Sequence, residues 1–171
     1  IESLGFAKSR VIFPKSIEVD ANGVQGQDNS HYIPSSRRLA FGNGCVDDNE
    51  DADVILHELG HAIQHHINSS WSGGDTGAMG EGFGDYWAAS YSVTTPHGME
   101  GNVNWAFKWD GHNNCWPGRK LDSFTPAYSA TSRYGAHAQV NGGISDELWS
   151  TPIFQAFLEM YKSGVPRGDI D

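Results

Sequence analysis

The segment His57-Glu58-Leu59-Gly60-His61 sets two imidazoles four residues apart, with an acid beside the first. On a helix such a pair stands one above the other, so both rings can reach one metal ion. Glu58 is turned about 100° from His57. Its carboxylate then falls beside the metal's open position, where it can take a proton from bound water. Two histidines leave a catalytic zinc site incomplete, because such sites use three protein ligands and one exchangeable position.

A second pair at the same spacing, Glu81 and Asp85, lies in Gly80-Glu81-Gly82-Phe83-Gly84-Asp85. Glu81 can supply the third ligand. Asp85 can accept the N–H of a ligand imidazole from behind, which fixes the tautomer and raises the ligand's basicity. Two solvated acids would be the ordinary reading of such a pair. The small and aromatic residues around it, from Met79 to Trp87, do not read as an exposed face.

These residues need helices to carry them. From about Asp51 to Ile67, Ile55, Leu59, Ala62, Ile63 and His66 recur at helical spacing. The acidic run from Asp47 to Asp51 suits the positive end of that helix, and part of it caps it. A second helix is expected from about Met79 to Tyr91, although Gly80, Gly82 and Gly84 disfavour it unless packing is very close or a site needs room. A third covers part of Ile144–Lys162, where Pro152 either starts it under a Thr151 cap or kinks it.

Upstream, the pattern is that of strands. Val11-Ile12-Phe13 and Ile17-Glu18-Val19 are short β-prone runs split by Pro14, and Asn22-Gly23 is a hairpin-type turn. His31-Tyr32-Ile33 and Arg38 to Phe41 form a second hairpin around Pro34-Ser35-Ser36, closed by Gly42-Asn43-Gly44. Residues 94–143 read as irregular. The sum is an α+β fold in one domain, 1–171, with a strand-rich lobe over about 1–67 and a mainly helical and irregular lobe over about 68–171.

His57 to His61, Glu81 twenty residues further on and then Asp85 resemble the gluzincins of the thermolysin and fungalysin families, with Gly77 to Asp85 most similar to fungalysin. The resemblance implies a zincin-like core: a small antiparallel-rich sheet over the active-site helix, and a helical second half. It implies a zinc endopeptidase with one Zn²⁺ on His57, His61 and Glu81, Glu58 as general base and Asp85 behind the ligands. Asn29-Ser30-His31-Tyr32 is similar to the family's edge strand, which pairs with the backbone of an extended peptide. Arg119 stands about where the family holds a substrate carbonyl, and His137, before Asn141-Gly142-Gly143-Ile144, about where it stabilises the oxyanion.

Two positions depart from the pattern. Where thermolysin has a Tyr before its Glu ligand, this chain has Ser72, next to Trp71. Asp53 matches the start of thermolysin's double calcium site, but a later acidic partner falls on Ser92. Ca²⁺ is therefore possible but unsupported on one ligand, since calcium takes six to eight oxygens.

Composition narrows the partners. Twenty-one acids against 11 bases give a formal charge of −10, which argues against a nucleic acid or an anionic membrane. Apolar runs are too short to span a bilayer. Cys45 and Cys115, 70 residues apart, are either one disulfide or two buried thiols. His65, His66, His97 and His112 read as structural or solvated. A peptide or protein substrate, a monomer and a secreted location are expected, the last from the family resemblance. The competing readings are an adhesion or assembly module that holds zinc without cleaving, against which the intact Glu58 weighs, and an aminopeptidase, for which no free-amine motif is visible.

Overall fold

A computed structural model describes residues 16–170. The β-prone run Val11–Phe13 lies outside them. The elements in chain order are β1 (Glu18–Asp20), β2 (His31–Ile33), β3 (Arg38–Ala40), a 3₁₀ turn (Asp48–Glu50), α1 (Ala52–Ile67), α2 (Thr76–Val93), β4 (Trp105–Ala106), β5 (Arg119–Lys120), β6 (Gln139–Val140), β7 (Gly143–Ile144), α3 (Glu147–Lys162) and α4 (Arg167–Ile170). The fold is α+β. Three long helices pack together beside small sheets, and among the described residues no helix is long and apolar enough to cross a membrane.

The three-stranded sheet runs β1-β3-β2, so β2 is an edge strand. β2 and β3 are the expected antiparallel hairpin, with Tyr32 opposite Leu39. Asn22-Gly23 is a turn but closes no hairpin, because β1 pairs parallel with β3, Val19 opposite Leu39. The chain after β1 turns back through Val24 N–H to the Phe41 carbonyl (3.2 Å) and reaches β2 from the far side.

The stretch 94–143 is less irregular than its composition indicates. β4 pairs with β5, and β6 with β7, both antiparallel. The β6–β7 turn is Asn141-Gly142, both at positive φ (49° and 85°). Two positive φ values are what a two-residue hairpin turn of the I′ kind requires.

α1 starts where its acids indicate. Asp51 is the N-cap, its side chain accepting from Asp53 N–H at 2.7 Å. α3 falls within the expected span and decides between the two roles offered for Pro152: it begins at Glu147, so Thr151 is not its cap and Pro152 lies inside it. Its N-cap, Asp146, makes no side-chain cap bond.

The core lies where α1, α2 and α3 meet, with Phe41, Val93, Leu121, Phe154 and Phe157 all buried. Close helix approach accounts for two of the four α2 glycines. A Cβ on Gly82 would fall 2.6 Å from Trp149 Cβ, on α3. A Cβ on Gly84 would fall 2.6 Å from His57 Nδ1, on α1. Cys45 and Cys115 form a disulfide, with Cα atoms 6.5 Å apart, tying the segment before α1 to the loop before β5.

Candidate metal centre and cleft

α1 and α2 bring His57, His61 and Glu81 to one point. His57 Nε2 lies 3.1 Å from His61 Nε2 and 3.2 Å from Glu81 Oε2, and His61 Nε2 lies 3.5 Å from Glu81 Oε1. Ligands about 2.0–2.1 Å from a tetrahedral zinc stand roughly 3.3–3.4 Å from one another. The two imidazole nitrogens and the Glu81 carboxylate, which meets His57 through Oε2 and His61 through Oε1, are thus separated by close to the edge length of such a tetrahedron. Two nitrogens and one carboxylate oxygen are also a donor set that suits zinc.

Charge at this point is strongly coupled. Burial pushes His57 down, but Asp85 and Glu81 outweigh it and pull the imidazole up to about 10. Burial works against Glu81 as a carboxylate, yet His57 and His61 hold it far below the usual range. Asp85, 1% exposed, sits 3.0 Å from His57 Nδ1. That contact is off the in-line direction and Nδ1 makes no directed hydrogen bond, so the interaction is chiefly electrostatic. Phe107 closes the site behind, its ring edge-on to His57 at 5.5 Å.

Glu58 is buried and lines the same cleft as the three ligand candidates, a cavity of about 1070 Å³. Asn29, Ser30, Arg119 and His137 line it too. Ser30 immediately precedes the edge strand β2, and Asn29 Oδ1 accepts from Ser30 N–H at 2.9 Å.

Arg119 lines the cleft and turns its guanidinium onto the acids of the cluster. Its Nη1 lies 2.9 and 3.1 Å from the two oxygens of Asp85, 3.4 Å from Glu81 and 3.5 Å from Asp146. Phe107 and Trp116 flank the guanidinium at 5.5 and 6.0 Å. Burial opposes its charge, but the three carboxylates more than restore it and hold its pKa above the ordinary value. Balancing those acids is a task that spacing from Glu81 does not announce.

His137 stands half-exposed at the cleft, with Nε2 3.4 Å from Glu81 Oε2. Asp146 holds it twice, accepting from its backbone N–H at 2.9 Å and lying 2.7 Å from Nδ1. The bond to Asp146 raises the His137 pKa; burial and Arg119 oppose it. Asp146 is fully buried and was not singled out from sequence. An acid opening a helix reads as a cap; this one turns its carboxylate away from its own helix towards the cleft.

The other readings divide. Asp53 accepts from Ser92 Oγ and from Phe107 N–H (3.0 Å), so it serves as a brace between α1, α2 and the following loop. His66 bonds the Ala62 carbonyl, His97 pairs with Glu100, and His112 stacks on Trp105 at 4.0 Å. Trp71 Nε1 donates to the Thr76 carbonyl, and Ser72 Oγ to the Ser70 carbonyl.

Compared with known protein families, with curated proteins and with solved structures, the chain matches none.

Proposed function

We propose that this chain is a zinc-dependent endopeptidase of the gluzincin type, with a zincin-like core and Glu58 as its general base. The observation that carries the reading is the tetrahedral spacing of His57, His61 and Glu81 with Glu58 buried in the same cleft. When bound, zinc would supply a Lewis acid that polarises the scissile carbonyl and favours ionisation of a water.

The chain's own residues do the rest. Glu58 takes the proton of the attacking water and passes it to the leaving amine, so one carboxylate serves as base and then as acid. His137 donates from Nε2 to the oxygen on which charge develops, while Asp146 fixes the ring from Nδ1. Arg119 and Asp85 hold the ligand cluster in place, and Arg119 Nη2, 3.3 Å from His137 Nδ1, stands next to the region a substrate carbonyl would enter. The start of β2 offers edge backbone to an extended peptide through Asn29 and Ser30. Secretion belongs to this reading, and the Cys45–Cys115 disulfide is compatible with it.

The test is zinc content by mass spectrometry together with cleavage of a denatured protein. One zinc per chain, and cleavage abolished by 1,10-phenanthroline and restored by zinc, is the expected result. Stoichiometric zinc without cleavage would overturn the peptidase reading in favour of a binding module.

A further inference from the structure

Asp28, Asp48 and Asp110 come from three separate segments: the stretch before β2, the 3₁₀ turn before α1 and the loop before β5. One carboxylate oxygen from each lies within 4.8 Å of the other two. Oxygens that share one calcium ion, with bonds of about 2.3–2.6 Å, lie no further apart than about 5 Å, so the three are close enough to share one. All three residues line the cleft, but none is among the residues placed around Glu81.

Two of the three are not surface acids. Asp48 is 3% exposed and Asp110 6% exposed, and the Oδ1 of each is closed to solvent with no hydrogen-bond partner. A buried carboxylate oxygen without a donor is rare, because removing it from water costs far more than the fold gains elsewhere. Among the described residues no Lys, Arg or His pairs with any of the three, as the neighbouring Arg119 does with Asp85. Asp48 Oδ2 has its own donor, Ser30 Oγ at 2.5 Å. Asp110 is held in place from its backbone, its N–H donating to Asp51 Oδ2 at 2.9 Å. The Cys45–Cys115 disulfide straps together the same two segments that carry Asp48 and Asp110.

We infer that Asp28, Asp48 and Asp110 form a calcium site on the cleft wall, separate from the His57–His61–Glu81 cluster. An all-oxygen, carboxylate-rich donor set selects a hard cation over zinc. The Asp48 and Asp110 carboxylates converge with Asp28 while each keeps a closed Oδ1 without a donor, and a bare ion would satisfy them. Backbone carbonyls and water complete the shell. Bound there, calcium joins three chain segments and, through Ser30 and Asp48, anchors the start of the edge strand.

The site stands apart from the peptidase reading and is tested without activity. Protein stripped with EGTA is titrated with calcium while its melting is followed, and terbium is added separately to read luminescence sensitised by tryptophan, Trp116 lining the same cleft. One calcium per chain and a rise of several degrees (roughly 3–8 °C) in melting midpoint are expected at saturating calcium. Asp110→Asn should abolish both signals, and Asp48→Asn should do the same where it folds. Glu50→Gln, an exposed acid in the same turn, should leave them intact. No calcium-dependent shift in wild type, or a full response in Asp110→Asn, overturns the site. So does a wild type indifferent to calcium whose preference for lysyl or arginyl substrates is lost in Asp110→Asn, which would assign the acids to substrate instead.

Discussion

Around Glu81, the carboxylates of Asp85, Asp146 and Glu81 each face a partner that carries charge or a proton. Asp85 has both oxygens on Arg119, Asp146 holds the ring and backbone of His137, and Glu81 faces two imidazoles. Around Asp48, along the same cleft, three carboxylates have converged with no cation from the chain, and two of their oxygens are closed off without a donor. The first cluster is balanced largely from within the fold. The second is balanced by a cation from solution. Asp48 and Asp110 are about as buried as Asp85 and Asp146, so burial alone does not say which acids a fold supports with its own side chains; the identity of the facing groups does.

The comparison breaks most sharply at Glu58, the buried acid of the first region with no assigned ion pair. Glu58→Gln should keep zinc content and melting near wild type and lower turnover by roughly 10²–10⁴. Proteolysis that survives in this variant with zinc still bound would remove Glu58 from the chemistry.

His137 ranks next. A group that meets charge only in the transition state should affect turnover and leave binding alone. His137→Phe should lower kcat and kcat/KM together by roughly 10²–10³, the worth of one lost donor. A rise in KM with kcat unchanged would mean that His137 serves binding only.

Asp85→Asn tests how the first region is balanced. Zinc affinity should fall by roughly 10–100-fold, because the ligand imidazole loses its supporting charge. The variant should also melt lower, since Arg119 is left with Glu81 and Asp146 at 3.4 and 3.5 Å as its remaining partners. Equilibrium dialysis against zinc and calorimetry separate the two effects. Unchanged affinity would make Asp85 a partner of Arg119 alone.

Gly84→Ala makes a smaller claim on the same cluster. The new methyl falls on the His57 ring, which is fixed between α1 and α2. A cost of about 1–3 kcal/mol is expected from such overpacking, with weaker zinc binding alongside. Gly80→Ala, where the nearest atoms stand 3.5 Å from the added Cβ, should be neutral or stabilising.

What the sequence carried into the fold follows the range of each signal. His57, His61, Glu81 and Asp85 were legible because helical spacing is local: two turns and two helices suffice to place them. The hairpin of β2 with β3 was legible for the same reason, whereas the edge position of β2 came only from the family resemblance. The β6–β7 hairpin should have been read, since Asn141-Gly142 is the strongest short-range turn signal, but the strands it joins are two residues each. Parallel pairing of β1 with β3 has no such signature. Nor does the role of Asp146, whose position marks a helix start while its carboxylate serves a residue nine places upstream. Arg119 was placed near the site by resemblance, but its partners are set by the packing of α2 and α3 against β5, which spacing cannot give. Pro152 left two readings open because proline suits a first turn as well as an interruption; α3 has already begun at Glu147, so the first-turn reading fails.

The smallest effect concerns the second region in the absence of calcium. Burial pushes Asp110 up to about 7 from its ordinary 3.8, and the charges of Asp48, Asp28 and Asp51 push the same way. A carboxyl whose folded pKa lies above its unfolded one binds its proton more tightly when folded. Its contribution therefore favours the fold below about 3.8, weakens as pH rises through the window to about 7, and is lost above it. In EGTA, wild type should thus lose melting temperature relative to Asp110→Asn as pH rises from about 5 to about 8, by a few degrees at most. Asn has no charge to suppress, so the variant should be the more stable protein at pH 8. Saturating calcium should reverse that order, because the ion binds the wild-type carboxylates and leaves the variant unaided. The crossing of the two melting curves on adding calcium is the sharpest mark of the difference between the regions. If wild type and Asp110→Asn keep a constant offset across this pH range in EGTA, Asp110 is compensated by a partner after all, and the contrast with Glu81 and Asp85 disappears.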